Sequence, residues 1–241
     1  MSLSYNKFLL PACILLASFA FISCKKNDNK EHPLVSGNFV FDKLGNFSSI
    51  RMFTRLGEVK DQSLIGQYKI KFSEHIYPTA PTSSDAVDTF NIIDEHTARH
   101  ITRNSFTNEL MTKDFVITKM DNHYQFRSKD TSRFMSQPVD RFMTNIGKYK
   151  PYYFVTPTPV GGSMVTTLQY FYASPTAEGL VFPFINVIRF ATINNPWQPY
   201  STYVNVNRVN NVFDEKFPLN TLIYDTLLVQ SFNVTYKETA R

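Results

Sequence analysis

The sequence predicts a mainly β protein, an antiparallel β-barrel or β-sandwich with one or two short helices. Three observations point to that class. The 241 residues include 22 Phe, 13 Tyr and one Trp, so aromatics make up 15% of the chain. Alanine occurs only ten times, three of them in the first twenty residues. Short apolar runs separated by turn residues recur along the body, which is how strands of an antiparallel sheet are written. A mean hydropathy of -0.23 with 19% charged residues excludes a multi-span membrane protein, a coiled coil and a disordered tail. Thirteen Pro against eight Gly exclude collagen-like and Gly-rich repeats.

The chain opens with seven polar residues carrying one positive charge, Lys7, followed by an apolar run over residues 8–22. Fifteen residues at 1.5 Å each reach about 22 Å, short of the roughly 30 Å hydrocarbon core of a bilayer. The run has the length of a signal-peptide core, so residues 1–23 are expected to be a signal peptide. It ends in Phe21-Ile22-Ser23-Cys24, followed by Lys25 and Lys26. That ending resembles the lipobox of bacterial lipoproteins. Ile22 and Ser23 fit the pattern, Phe21 stands where Leu is usual, and the resemblance makes Cys24 the acylated residue. It also implies a cell-envelope location at the outer membrane, with the membrane face left open. Each buried CH₂ of an acyl chain contributes about 0.8 kcal/mol, so several chains anchor a protein stably. Residues 24–34 are polar and without periodicity, as expected of the lipidated Cys and a flexible tether. The only other cysteine, Cys13, lies inside the apolar run, so the body has neither a disulfide nor a thiol for catalysis or zinc.

Residues 35–241 form the β-rich domain, with a seam at 151–162, where Pro and Gly are dense. Residues 35–42 and 50–54 suggest two strands joined by a turn at 43–46. Asp61 offers an N-cap, and Leu64, Ile65, Tyr68, Phe72 and Ile76 recur at helical spacing, predicting a helix over residues 61–76. After a Pro- and Ser-rich loop at 78–84, short strands are expected at 89–93 and 98–102. A hairpin follows, 115–120 against 123–127, with Asp121-Asn122 as a loop that tolerates positive φ. Beyond residue 150 charge becomes sparse: 34 charged groups among residues 24–150 fall to 10 among the last 91. Strands are expected there at 152–156, 165–172, 181–190, 203–209 and 226–236. Phe182-Pro183-Phe184 suggests an edge or a bulge. Tyr170 and Tyr172 share one strand face with Phe171 on the other. The run Met52 to Asp61, taken with the 115–127 hairpin, resembles uncharacterised envelope lipoproteins of Bacteroidota, some of them lipocalin-like. The resemblance implies a helix set against a calyx of strands and carries no activity with it.

Little in the chain points to catalysis. His96 and His100 lie four apart, but Thr97 stands where a metalloprotease motif needs Glu, so both are expected on a solvated polar hairpin and no metal site is assigned. Gly161-Gly162-Ser163 is not a nucleophile elbow, and no phosphate-binding glycine motif occurs. No catalytic residue and no cofactor are therefore nominated. The net charge of +5, or +4 without Lys7, comes with no basic run longer than Lys25-Lys26, which excludes a nucleic-acid partner. The segment Asn194 to Tyr200, with two prolines and the only Trp, is expected to be a loop, and it makes Trp197 and Tyr200 the ligand-binding candidates. The expectation is a lipid-anchored envelope protein with a non-catalytic domain binding an apolar or amphipathic ligand. A surface glycan-binding lipoprotein serving an outer-membrane importer and a structural or adhesive surface protein are the alternatives.

Overall fold

The computed structural model describes residues 32–75, 88–104, 107–135, 145–150, 153–157, 163–195, 198–217 and 225–239. In chain order the elements are β1 (Gly37–Gly45), β2 (Arg51–Thr54), β3 (Gly57–Val59), α1 (Gln62–His75), β4 (Asp88–Ile92), β5 (Thr97–Arg103) and β6 (Leu110–Lys119). They continue with β7 (Tyr124–Met135), β8 (Tyr153–Pro157), β9 (Ser163–Thr176), β10 (Gly179–Asn195), β11 (Gln198–Val209) and β12 (Asp225–Glu238). Among the described residues no helix is long and apolar enough to cross a membrane.

Eight strands close an antiparallel barrel in the order β1-β4-β5-β6-β7-β9-β10-β12 and back to β1, a lipocalin-like, up-and-down arrangement. The other four strands are side branches. β11 continues along β10, β2 and β3 continue from β12, and β8 lies on β9. Barrel strands from before and after residues 151–162 form two arcs of one closed sheet, joined where β7 pairs with β9 and where β1 pairs with β12.

Period-2 alternation sorts the side chains. Phe90 and Ile92 of β4, Phe115 and Ile117 of β6, Leu180 and Phe182 of β10, and Phe232 and Val234 of β12 share the interior core. Phe90 is its hub, with the rings of His100, Phe115, Phe126, Phe171, Phe182 and Tyr236 all within 6.4 Å of it, centroid to centroid. Beyond the barrel, the same faces of β10 and β12 carry Ile188, Phe190 and Leu228, which α1 covers with Ile65, Leu64 and Tyr68. Asp61 caps the helix, its Oδ1 accepting from the backbone N–H of Ser63 and Leu64 at 2.8 and 3.1 Å. The opposite face, Ile185, Val187, Leu227 and Val229, is covered by Ile146, Phe213 and Phe217.

β10 and β12 form the spine, paired over twelve successive residues from Leu180↔Tyr236 to Ala191↔Asp225. Each exchanges its other neighbour partway along. β10 leaves β9 after Val181 and meets β11 at Ile185, while β12 passes from β1 to β2 between Asn233 and Val229. Polar side chains fill these forks. Asn210 Oδ1 accepts from Tyr172 N at 2.6 Å and its Nδ2 donates to Pro183 O at 3.0 Å, standing in for a peptide group. A residue's N–H and C=O point to the same side of a strand, so the N–H that Pro183 lacks belongs at the fork, where no ladder bond is lost. At the second fork Ser48 N donates to Ser231 O at 2.8 Å, and Ser48 Oγ accepts from Ser231 N at 2.9 Å. The expected hairpin of residues 35–54 is therefore replaced by two collinear strands on one edge of β12, with residues 46–50 bulging between them. Gly179 has φ +132°, and a Cβ there would lie 2.1 Å from Tyr236 O, so the β9–β10 turn requires glycine.

The covering segments are tied down by charge. Arg51 donates to Glu58 at 2.9 and 3.2 Å and to Glu215, and its guanidinium lies 4.9 Å from the Phe53 ring centroid. Arg51 first and Lys60 second hold the Glu58 carboxyl at about 2. Asn211 grips residue 149, with Nδ2 donating to Tyr149 O at 2.7 Å and Oδ1 accepting from Tyr149 N at 3.0 Å.

Asn210→Ala leaves two backbone groups unpartnered and is expected to lower unfolding free energy in urea by about 1–3 kcal/mol. A variant as stable as the parent would mean the fork tolerates open backbone groups. Glu58, depressed in the folded chain, contributes stability that is complete above its unfolded value near 4.5 and is lost as pH falls towards 2. Glu58→Gln should thus cost about 1–2 kcal/mol at pH 7, with the gap to the parent closing across that acid window in pH-dependent denaturation.

Candidate functional site

The inward-facing set of the barrel changes chemistry along its axis. At the end where the described chain begins, the interior is filled by the Phe90 cluster, and Leu34 packs against it. Two residues along each strand from those rings, on the side towards α1, the inner wall turns polar. Asp88 of β4 precedes Phe90, Lys113 of β6 precedes Phe115, and Gln169 of β9 precedes Phe171, in each case by one period of alternation. His100 of β5 lies directly across from Phe90 on one side and from Lys113 on the other. Its ring stacks on Phe90 at 4.1 Å and 13°. The backbone pairing alone brings these residues into one row.

The row is bonded in two parts. Asp88 Oδ1 lies 2.8 Å from His100 Nε2, and its Oδ2 accepts from the Tyr236 hydroxyl at 2.9 Å. Burial, reinforced by the Asp88 charge, pushes the Tyr236 phenol far up, so it stays protonated and donates. Lys113 Nζ donates to Gln169 Oε1 at 3.0 Å, a neutral partner. The His100 and Asp88 side chains keep 14% and 26% exposure although they point inward, so water reaches the inner wall above the aromatic floor. On β10 and β12 the polar change falls at the facing pair Asn186↔Gln230, between the barrel core and the helix-covered core. Ser128, buried on the same wall, is committed, its Oγ accepting from Gln169 N and donating to Asp130 O, both at 2.8 Å.

Two further features lie elsewhere. A cleft of about 280 Å³ opens beside the first described residues, lined by Leu34, Phe39, Pro175 and Leu180 with Lys237 and Glu238 among its polar lining. On the outer wall, Tyr172 is buried beneath Tyr149 and His123, at 4.5 and 5.9 Å between ring centroids, and burial pushes its phenol up to about 12. Phe171 faces inward and Tyr172 outward, as alternation requires.

Cys24 and Trp197 lie outside the described residues. Tyr200 lies in β11 at a register break, between Ser201↔Ile193 and Pro199↔Asn194, as the extra residue of a bulge. The expected loop of residues 194–200 is instead the end of a hairpin in which Asn195 faces Gln198. His96 and His100 do not share a solvated hairpin. His96 occupies the exposed β4–β5 turn, whereas His100 is inside the barrel, because β5 begins at Thr97 and alternates Ala98 and His100 inward. Lys113 and Gln169 carried a signal that went unused: each keeps step with an inward phenylalanine two residues on. Among the described residues no group of three His, Cys, Asp or Glu side chains is placed to hold a metal ion. Compared with known families, curated proteins and solved structures, the chain matches none.

Phe90→Ala removes the hub ring and is expected to cost about 3–5 kcal/mol. Tyr236→Phe leaves the ring in place, removes the donor to Asp88, and should cost about 1–3 kcal/mol. Urea unfolding followed by far-ultraviolet circular dichroism measures both. A Tyr236→Phe variant as stable as the parent would show that the hydroxyl bond contributes nothing net.

Proposed function

We propose that the chain is a lipid-anchored envelope protein, attached at the outer membrane through Cys24, whose barrel binds an apolar or amphipathic ligand without transforming it. The observation that carries the binding role is the water-reachable polar row of Asp88, His100 and Lys113 directly above an aromatic floor. Barrel mouths with an apolar lining and a few convergent polar groups are common ligand sites, because the apolar part supplies affinity and the polar groups fix orientation. A wall built only to fill the barrel has no need of a lysine whose one bonded partner among the described residues is a neutral amide. The cleft beside Leu34 lies at the start of the described body. The anchor itself rests on the Phe21-Ile22-Ser23-Cys24 pattern.

Two measurements test the two halves of the proposal. Native mass spectrometry of the purified protein should reveal a copurifying small molecule, and a clean ligand-free mass after gentle extraction counts against binding. Cys24→Ser should abolish metabolic palmitate labelling and move the protein out of the membrane fraction. Retention in that fraction at the parent level would remove the anchor.

A further inference from the structure

We infer that the ligand of this barrel is an amphipathic organic anion, its charged group on Lys113 and its apolar part against the aromatic floor. The inference rests on the binding role proposed above and adds the ligand's charge.

The argument starts from which charges on the inner wall are already spent. Asp88 uses both carboxylate oxygens, one towards His100 and one on the Tyr236 hydroxyl. It is thereby held against the wall by two neighbours. Lys113 differs. An ammonium group has three donors, and here one of them meets Gln169 Oε1 while no acidic side chain among the described residues bonds it. Outward-facing charges nearby are handled in the opposite way: Arg99, on the same strand pair, is matched by Asp114 at 2.8 Å. On this strand pair the outer Arg99 meets a carboxylate, and the inner Lys113 an amide.

Placement supplies the rest. Lys113 and His100 are direct cross-strand neighbours, so their side chains leave the wall side by side, roughly 5 Å apart at Cβ. Phe115 follows Lys113 on the inner face, and Phe171 follows Gln169, with the two rings 5.6 Å apart. A ligand touching Lys113 therefore meets the partly buried ring of Phe171 within one residue repeat of its charged group, with Phe90 and Phe115 fully buried beneath it. Carboxylate, sulfonate and phosphate monoester all satisfy the remaining ammonium donors, and the apolar body is what the floor selects. At an exposed lysine in water the same anion would gain little, because such contacts are weak.

A matched pair of fluorescent probes tests this on the purified protein. 1-Anilinonaphthalene-8-sulfonate and N-phenyl-1-naphthylamine share one ring system and differ in the sulfonate. The parent is expected to bind the sulfonate more tightly. Lys113→Met should weaken sulfonate binding roughly tenfold or more while leaving the neutral probe within about twofold, and Lys113→Arg should retain most of the affinity. Circular dichroism and urea unfolding of each variant check that the barrel is intact. Equal binding of the two probes by the parent, or an unchanged sulfonate affinity in Lys113→Met, overturns the anion assignment and leaves the binding role standing. Failure of both probes to bind folded parent protein removes the binding role, and the anion assignment with it.

Discussion

The β10–β12 ladder is the constraint from which the rest of the architecture follows. Strands of 17 and 14 residues exceed what an eight-strand barrel of this size uses, so each belongs to the barrel at one end and to an open sheet at the other. A strand edge holds one neighbour at a time. When β10 exchanges β9 for β11, and β12 exchanges β1 for β2, backbone groups at each exchange lose their partners, at the β10 fork in a partly buried place. An unsatisfied buried group costs about 1–3 kcal/mol, enough to disfavour a fork left open. Asn210 and Ser48 supply the missing bonds, and Ser128 does the same where β7 bulges between Arg127 and Thr131. The proline in β10 sits where its missing donor costs nothing. Polar residues within these apolar strands are thus a consequence of branching.

An eight-strand barrel is just wide enough for its own side chains to fill or to hold one small ligand, and the Phe90 cluster fills the end nearer the first described residues. Past it, the shared strands lead under α1, whose core of Met52, Ile65, Ile188, Phe190 and Leu228 is separate. Between the two cores the inner face carries Asp88, His100, Lys113, Gln169 and the Asn186↔Gln230 pair. Had the chain placed apolar residues there, the two cores would merge into one. The polar band keeps them apart and lets water into the wall at that level, and that is where the barrel differs from a packed structural module.

Much of the fold was legible because strands advertise themselves locally. Alternation in residues 115–127, the reversal at Asp121-Asn122 and the Asp61 cap each depend on neighbours a few residues away and match the structure, although the reversal is made without positive φ. What was not legible depends on distant pairing. Residues 43–46 read as a reversal, and only β12, some 190 residues later, reveals a bulge along a continuous edge. Residues 194–200 read as a loop because of Pro196 and Pro199, yet register pairs up to Asn195↔Gln198 draw them into a hairpin. The site suffered from the same gap. His100 was weighed against His96 on spacing alone, when the relevant partner was Asp88 on the next strand. Lys113 alternates with Phe115 and Ile117, but alternation says only that they share a face, and which face is inner is settled by closure of the barrel.

Closure also bears on whether the row recognises or reacts. An Asp–His pair with a nearby hydroxyl can serve general-base chemistry when the histidine has a proton to collect from a nucleophile. Here the hydroxyl in contact is that of Tyr236, and it bonds the far oxygen of Asp88 instead of the imidazole. Its phenol is driven up by burial, which makes it a fixed donor and a poor source of protons. Another hydroxyl on this wall, Ser128, has its oxygen committed to two backbone groups. What remains uncommitted on the row is an ammonium with donors to spare, carried on rigid strands beside stacked rings. Donors held on rigid strands beside a partly buried ring are placed to orient a ligand, and that is the part the row would play in the proposed binding role.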